Sequence, residues 1–160
     1  KQITFWTMGS LNGSTYANAL ALAAAFAIFG GILFIKAREL NAFAVGEDNA
    51  RNIGVDVKRT KLTVLICVSA LIGVCVSIGG TIAFVGLVTP HAARFIAGPN
   101  HRRLLSASAF AGAIFLMLCD LAARTLLSPL ELPIGVVTSL IGAVAFIIVF
   151  YRARGKSGRA

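Results

Sequence analysis

Apolar residues run along this chain in long blocks, broken by short clusters of charge. Five blocks stand out, at roughly Tyr16–Ile35, Leu62–Gly80, Thr81–Gly98, Leu104–Ala123 and Ile134–Tyr151. Near 20 residues at about 1.5 Å per residue, such a block matches a hydrocarbon core about 30 Å thick. The third block differs. Gly79-Gly80 precedes it, and Pro90, His91 and Arg94 interrupt its second half. Proline removes a backbone donor and kinks a helix, and broken backbone at membrane depth needs protein or a water-filled cavity around it. The pattern predicts an all-α integral membrane protein, a polytopic bundle of about five segments, one of them short or broken.

Composition agrees. Of 160 residues 58% are hydrophobic and only 13% charged, with a mean hydropathy of +0.86, too little polar surface for a soluble domain. The net charge of +9 does not point to nucleic acid, because the basic residues form no patch with stacking aromatics. They obey the positive-inside rule instead. With the carboxy terminus cytoplasmic, thirteen of the fifteen Lys and Arg fall inside, leaving Lys1 and Arg124 outside. Cys67, Cys75 and Cys119 lie within apolar blocks, without metal-ligand spacing, and read as packing residues. The opening Lys1-Gln2-Ile3 suggests a piece of a longer protein.

One island departs from the apolar background. Glu39, Glu47, Asp48 and Asp56 lie between the first two blocks, among Lys36, Arg38, Arg51, Lys58, Arg59 and Lys61. Asn41 is placed to cap a helix, Glu47 and Arg51 stand at i, i+4, and Gly54 suits a left-handed C-terminus. Gly46 separates two short helices in this reading, Asn41–Val45 and Glu47–Ile53, lying on the membrane face. Phe43, Val45, Ala50 and Ile53 are available for packing. Such a loop either packs back on its own bundle or offers a rigid knob to a cytoplasmic partner.

Other candidates are sparser. Asp120 and Arg124 form an i, i+4 pair near the outer end of the fourth block, and an intramembrane ionisable group is a candidate for function. A lone His91 near a membrane face reads as structural. Gly155-Lys156-Ser157 lacks the first glycine and the preceding strand of a phosphate-binding loop. The residues offer no nucleophile-base-acid set, no metal site and no cofactor site, so any motor is another chain.

The spacing Glu47, Ala50, Gly54 resembles the coupling motif of ABC importer membrane subunits. LNAFAVGEDNARNIGVDVKR, GGTIAFVGLVTPHAARFIAGPNHRRLL and ELPIGVVTSLIGAVAFIIVFYR, in order, resemble FecCD/BtuC-type permeases over essentially the whole chain. The likeness corresponds to the C-terminal half of a ten-span member, residues 1–160, with a two-short-helix coupling loop at 39–57. It implies a permease subunit in the bacterial inner (plasma) membrane, pairing with a second permease subunit. Two ATPase subunits would bind below and a solute-binding protein above. By resemblance Glu47, Ala50, Arg51 and Gly54 form the coupling knob, and Arg124, with Glu131, docks the binding protein. Pro90 shapes the third segment, with His91 and Arg94 anchoring its inner end. Pro133 shapes the outer loop, and Gly135 lets helix backbones approach closely. WTMGSLNGST, residues 6–15, resembles a form frequent in iron-siderophore permeases, implying a ferric-siderophore cargo, with haem or cobalamin as alternatives. The competing classes are an ion-coupled carrier, which would put a charged or broken-helix site at the midplane, and a membrane scaffold.

Overall fold

A computed structural model describes residues 8–11, 13–125 and 132–157. Among them the chain forms six helices. They are α1 (Tyr16–Val45), α2 (Glu47–Asn52), α3 (Val57–Gly79), α4 (Val85–Ala97), α5 (His101–Thr125) and α6 (Ile134–Ser157). No strand occurs among the described residues. Helices α1, α3 and α5 are long and apolar enough to cross a membrane. Large apolar side chains such as Leu20, Leu65, Phe110 and Leu140 point outward. That is the arrangement a hydrocarbon solvent permits and water penalises.

The first apolar block is the N-terminal part of a longer helix. Thr15 caps it by accepting from the Asn18 N–H, and a π-helical turn at Phe26–Gly30 interrupts it without ending it. From Lys36 to Ala44 the chain has no glycine or proline and is rich in Ala, Leu, Arg and Glu, so helix propagates to Val45. The expected separate helix at 41–45 therefore does not form, and Asn41 is not an N-cap of its own helix.

The third block behaves as a broken segment. Its helical part, α4, has only 13 residues. Gly80 and Phe84 both take positive φ, 69° and 66°, so residues 80–84 descend without helical pairing. Helix α4 then starts on the Phe84 carbonyl, which accepts from Leu87 and Val88. Pro90 sits inside α4, and the Thr89 hydroxyl donates to the Val85 carbonyl at 2.7 Å.

The buried core lies where α5 meets α6. Cys119, Ala123, Ile134 and Val137 are nearly inaccessible, with Leu11, Ile82 and Leu132 packed around them. Small residues allow this closeness. Gly135 is the extreme case: a Cβ there would lie 2.0 Å from the Met8 carbonyl oxygen. The close approach at Gly135 is to the backbone at Met8, which is helical.

Candidate functional site

The island between α1 and α3 folds into a compact knob. Gly46, at φ 127°, turns the chain out of α1, and α2 begins at once. Glu47 and Asp48 occupy its first turn and Arg51 its last, signs that suit the helix dipole. Gly54, at φ 87°, ends it. The Gly54 N–H donates to the Arg51 carbonyl at 2.9 Å and the Val55 N–H to the Ala50 carbonyl at 3.0 Å. This pair of bonds is a Schellman closure, which consumes the carbonyls a helix end leaves open. Asp56 then caps α3 by accepting from the Arg59 N–H.

Two acids fasten the knob to its neighbours. One oxygen of Glu47 accepts from Arg51 at 3.1 Å, and the other from the Lys61 ammonium on α3. That lysine, and then Arg51, holds the Glu47 carboxyl below its ordinary range. One turn into the bundle, Glu39 accepts from Lys36 at 2.6 Å and from the buried Thr60 hydroxyl. Consecutive residues of α3, Thr60 and Lys61, are therefore each held by an acid from the α1–α2 arm.

The four apolar residues of the island divide. Ala50 is fully buried and Phe43 half-buried, whereas Val45 and Ile53 are both 72% exposed. The small residue at 50 thus seats the knob on its own bundle and leaves the outward face to Glu47, Asp48, Asn49, Arg51 and Asn52.

Asn41 has a different role from the expected one. Its side-chain oxygen accepts from the His101 N–H at 2.7 Å and lies 2.8 Å from His101 Nδ1. Its amide donates to Asn100 at 3.2 Å. Asn41 caps α5 from a neighbouring helix. Sequence reasoning missed Thr60, Asn100 and His101 because each link spans 21 to 60 residues. The signal that could have found them is polarity at helix ends, where orphan N–H groups need acceptors.

The far end of α5, a helix of 25 residues, carries the second candidate. Arg124 Nε donates to Asp120 at 2.9 Å, and both side chains are partly exposed. The acid orients the guanidinium along the helix while leaving it at the surface. Pro133 precedes α6 and accepts from the Val136 N–H. Glu131 lies outside the described residues. His91, on α4, has Nδ1 3.0 Å from the Leu87 carbonyl one turn back, and Arg94 is exposed. The structure gathers Glu47, Ala50, Arg51 and Gly54 at one end. It places Arg124, Pro133 and Gly135 at the other, with Pro90 between.

This arrangement matches known proteins over nearly its full length. The FecCD transport family matches residues 1–152. The chain belongs to the FecCD transport family. YvrB of Bacillus subtilis, an uncharacterized ABC transporter permease protein, is 42% identical over 158 residues, covering 99% of this chain and 44% of that protein. The cobalamin import system permease protein BtuC of Halobacterium salinarum is 40% identical over 156 residues, 98% of this chain and 41% of that protein. A solved structure described as an inward-facing metal-chelate type ABC transporter superposes with a TM-score of 0.89 at 34% identity. It covers 94% of this chain and 49% of its own. The chain spans about half the length of the curated relatives it matches.

Proposed function

We propose that this chain forms part of the permease subunit of an ATP-driven importer. It lines half of a translocation pathway and couples to a separate ATPase through α2. The observation that carries this reading is the knob itself. Helix α2 is closed by Gly54, seated by Ala50 and braced to α3 through Glu47 and Lys61. A free loop would need none of these. A rigid, charged, outward-facing helix passes force from a partner into α1 and α3 without first being compressed.

The lysines and arginines clustered around the knob favour a cytoplasmic placement for that end, with the C-terminus on the same side, in the inner (plasma) membrane of a bacterium. Arg124, at the opposite end, would then pair with acidic groups on a solute-binding protein. Two permease subunits and two ATPases complete the machine. The bond chemistry belongs to the ATPases, and this chain changes shape. A ferric siderophore is the cargo we favour, on the strength of residues 6–15 and the metal-chelate relative; haem or cobalamin is the alternative.

Co-purification of the full-length permease with its ATPase, comparing wild type with Glu47→Ala and Gly54→Leu, tests the coupling role. The expected result is a complex that forms with wild type and weakens with both variants while membrane insertion stays normal. A complex indifferent to both substitutions overturns the assignment of α2. Uptake driven by a proton gradient without an ATPase overturns the importer reading.

A further inference from the structure

Four residues are buried between Phe34 and Ile66, where α1, α2 and α3 pack together: Ala37, Ala50, Val57 and Thr60. Three of them have side chains that make no hydrogen bonds. The fourth, Thr60, is 1% exposed, and its hydroxyl donates to Glu39 Oε2, 21 residues back on α1. Lys36, one turn before Glu39, holds the other carboxylate oxygen at 2.6 Å. The root of the knob thus contains one directional bond between the helix that enters it and the helix that leaves it. Every member belongs to this chain, and the hydroxyl is already shut away from solvent.

One residue along α3, Lys61 reaches Glu47 on α2. The two clips lie side by side but differ in kind. The Glu47 pairs stand in water, with 44% to 63% of each side chain exposed, and solvent and salt screen such pairs until little is left. The Thr60 bond is charge-assisted and shielded, and a buried donor deprived of its acceptor keeps its full desolvation penalty. The outer clip therefore gives way easily, and the inner one resists. The spacing that singles out Glu47, Ala50 and Gly54 contains neither Glu39 nor Thr60.

We infer that Glu39 is the positioning residue of the knob: through Thr60 it fixes α1 on α3, and so sets where α2 stands relative to the span that follows. Helix α2 closes on itself through Gly54, so loss of the joint leaves its fold intact and frees only its placement. The inference rests on the proposed coupling role for what that placement is used for; the placement itself is a property of this chain.

The test uses cysteine-free full-length permease in nanodiscs, spin-labelled through Asn52→Cys on α2 and Ile72→Cys on α3. The parent should give one narrow distance distribution. Thr60→Val, which keeps the shape of the side chain and removes the donor, should broaden it. Thr60→Ser should restore it, and Lys61→Met should leave it close to that of the parent. With the ATPase bound, ATP turnover per complex should fall by on the order of fivefold in Thr60→Val and return in Thr60→Ser. A merely structural loss would lower the melting temperature and the yield of complex, but not turnover per complex. A Thr60→Val distribution as narrow as the parent's overturns the inference, and so does equal broadening in Lys61→Met. Unchanged turnover beside a broadened distance overturns the use of the joint in coupling. A parent that binds no ATPase overturns the importer reading instead, and the distances then decide the joint alone.

Discussion

Asn41 and His101 are joined twice, the one carboxamide oxygen meeting both the backbone N–H and the ring Nδ1 of the histidine. The first of these residues lies on the arm that carries the knob, and the second opens the helix that carries Arg124 near its other end. A short polar link thus joins the arm that carries α2 to the start of α5. Asn41→Leu strands the α5 N-terminus and should cost about 1–3 kcal/mol, the penalty of an unmade bond at a half-buried donor. Asn41→Asp keeps the acceptor and adds a charge the helix dipole favours. Thermal melts of the purified permease should rank wild type and Asn41→Asp together, above Asn41→Leu. A melt of Asn41→Leu equal to wild type would refute the link.

Glu47 supplies a pH dependence. Lys61 and Arg51 lower its folded pKa beneath the ordinary 4.5. A depressed carboxylate contributes stability that is fully present above 4.5 and is lost as pH falls through the lower, folded value. The knob should therefore be indifferent to pH between 6 and 8 and loosen only in acid. Carboxyl carbon NMR of Glu47 should titrate below 4.5, and Lys61→Met should move the midpoint upward. The effect on global stability should be small, since the pairs are solvent-exposed.

Gly54 holds α2 shut from a backbone angle that other residues resist. Gly54→Ala should cost about 1–2 kcal/mol, with Gly54→Asn milder because its side chain tolerates the left-handed region. Hydrogen exchange at the Gly54 and Val55 amides reads this directly. Faster exchange in Gly54→Ala than in Gly54→Asn is the expected order.

Gly142 is the tight neighbour of Phe84. A Cβ at Gly142 would lie 2.4 Å from the Phe84 Cβ, and Phe84 already has φ 66°. Gly142→Ala should displace the start of α4 and destabilise the protein by about 1–3 kcal/mol, as overpacking does. A double variant with Phe84→Gly, which removes both the contact and the strained side chain, should recover most of that loss. Failure to recover would mean that the two positions are not coupled.

The long helices were legible because apolar blocks of membrane length leave few alternatives, and the break before α4 showed in Gly80 and Pro90. The extent of α1 was not, because Lys36, Arg38 and Glu39 look like the start of a loop although each favours helix. At the knob, Glu47, Arg51 and Gly54 carried local signals of spacing and backbone preference that the structure repeats. The orientation of Ala50 did not, since alanine suits either face. Asn41 misled for a physical reason: it does cap a helix, but one 60 residues away, and only the packed bundle brings that helix within reach.

Ala50 turned inward has a final consequence. The knob has a root, Ala50, that only the bundle sees, and exposed positions, Asp48 and Asn52, that face away from it. Under the proposed coupling role, substitutions at Asp48 and Asn52 would alter the face offered to a motor while the root keeps its shape. If the proposed coupling holds, a lineage with several such chains could keep their motors distinct by changing those exposed positions alone.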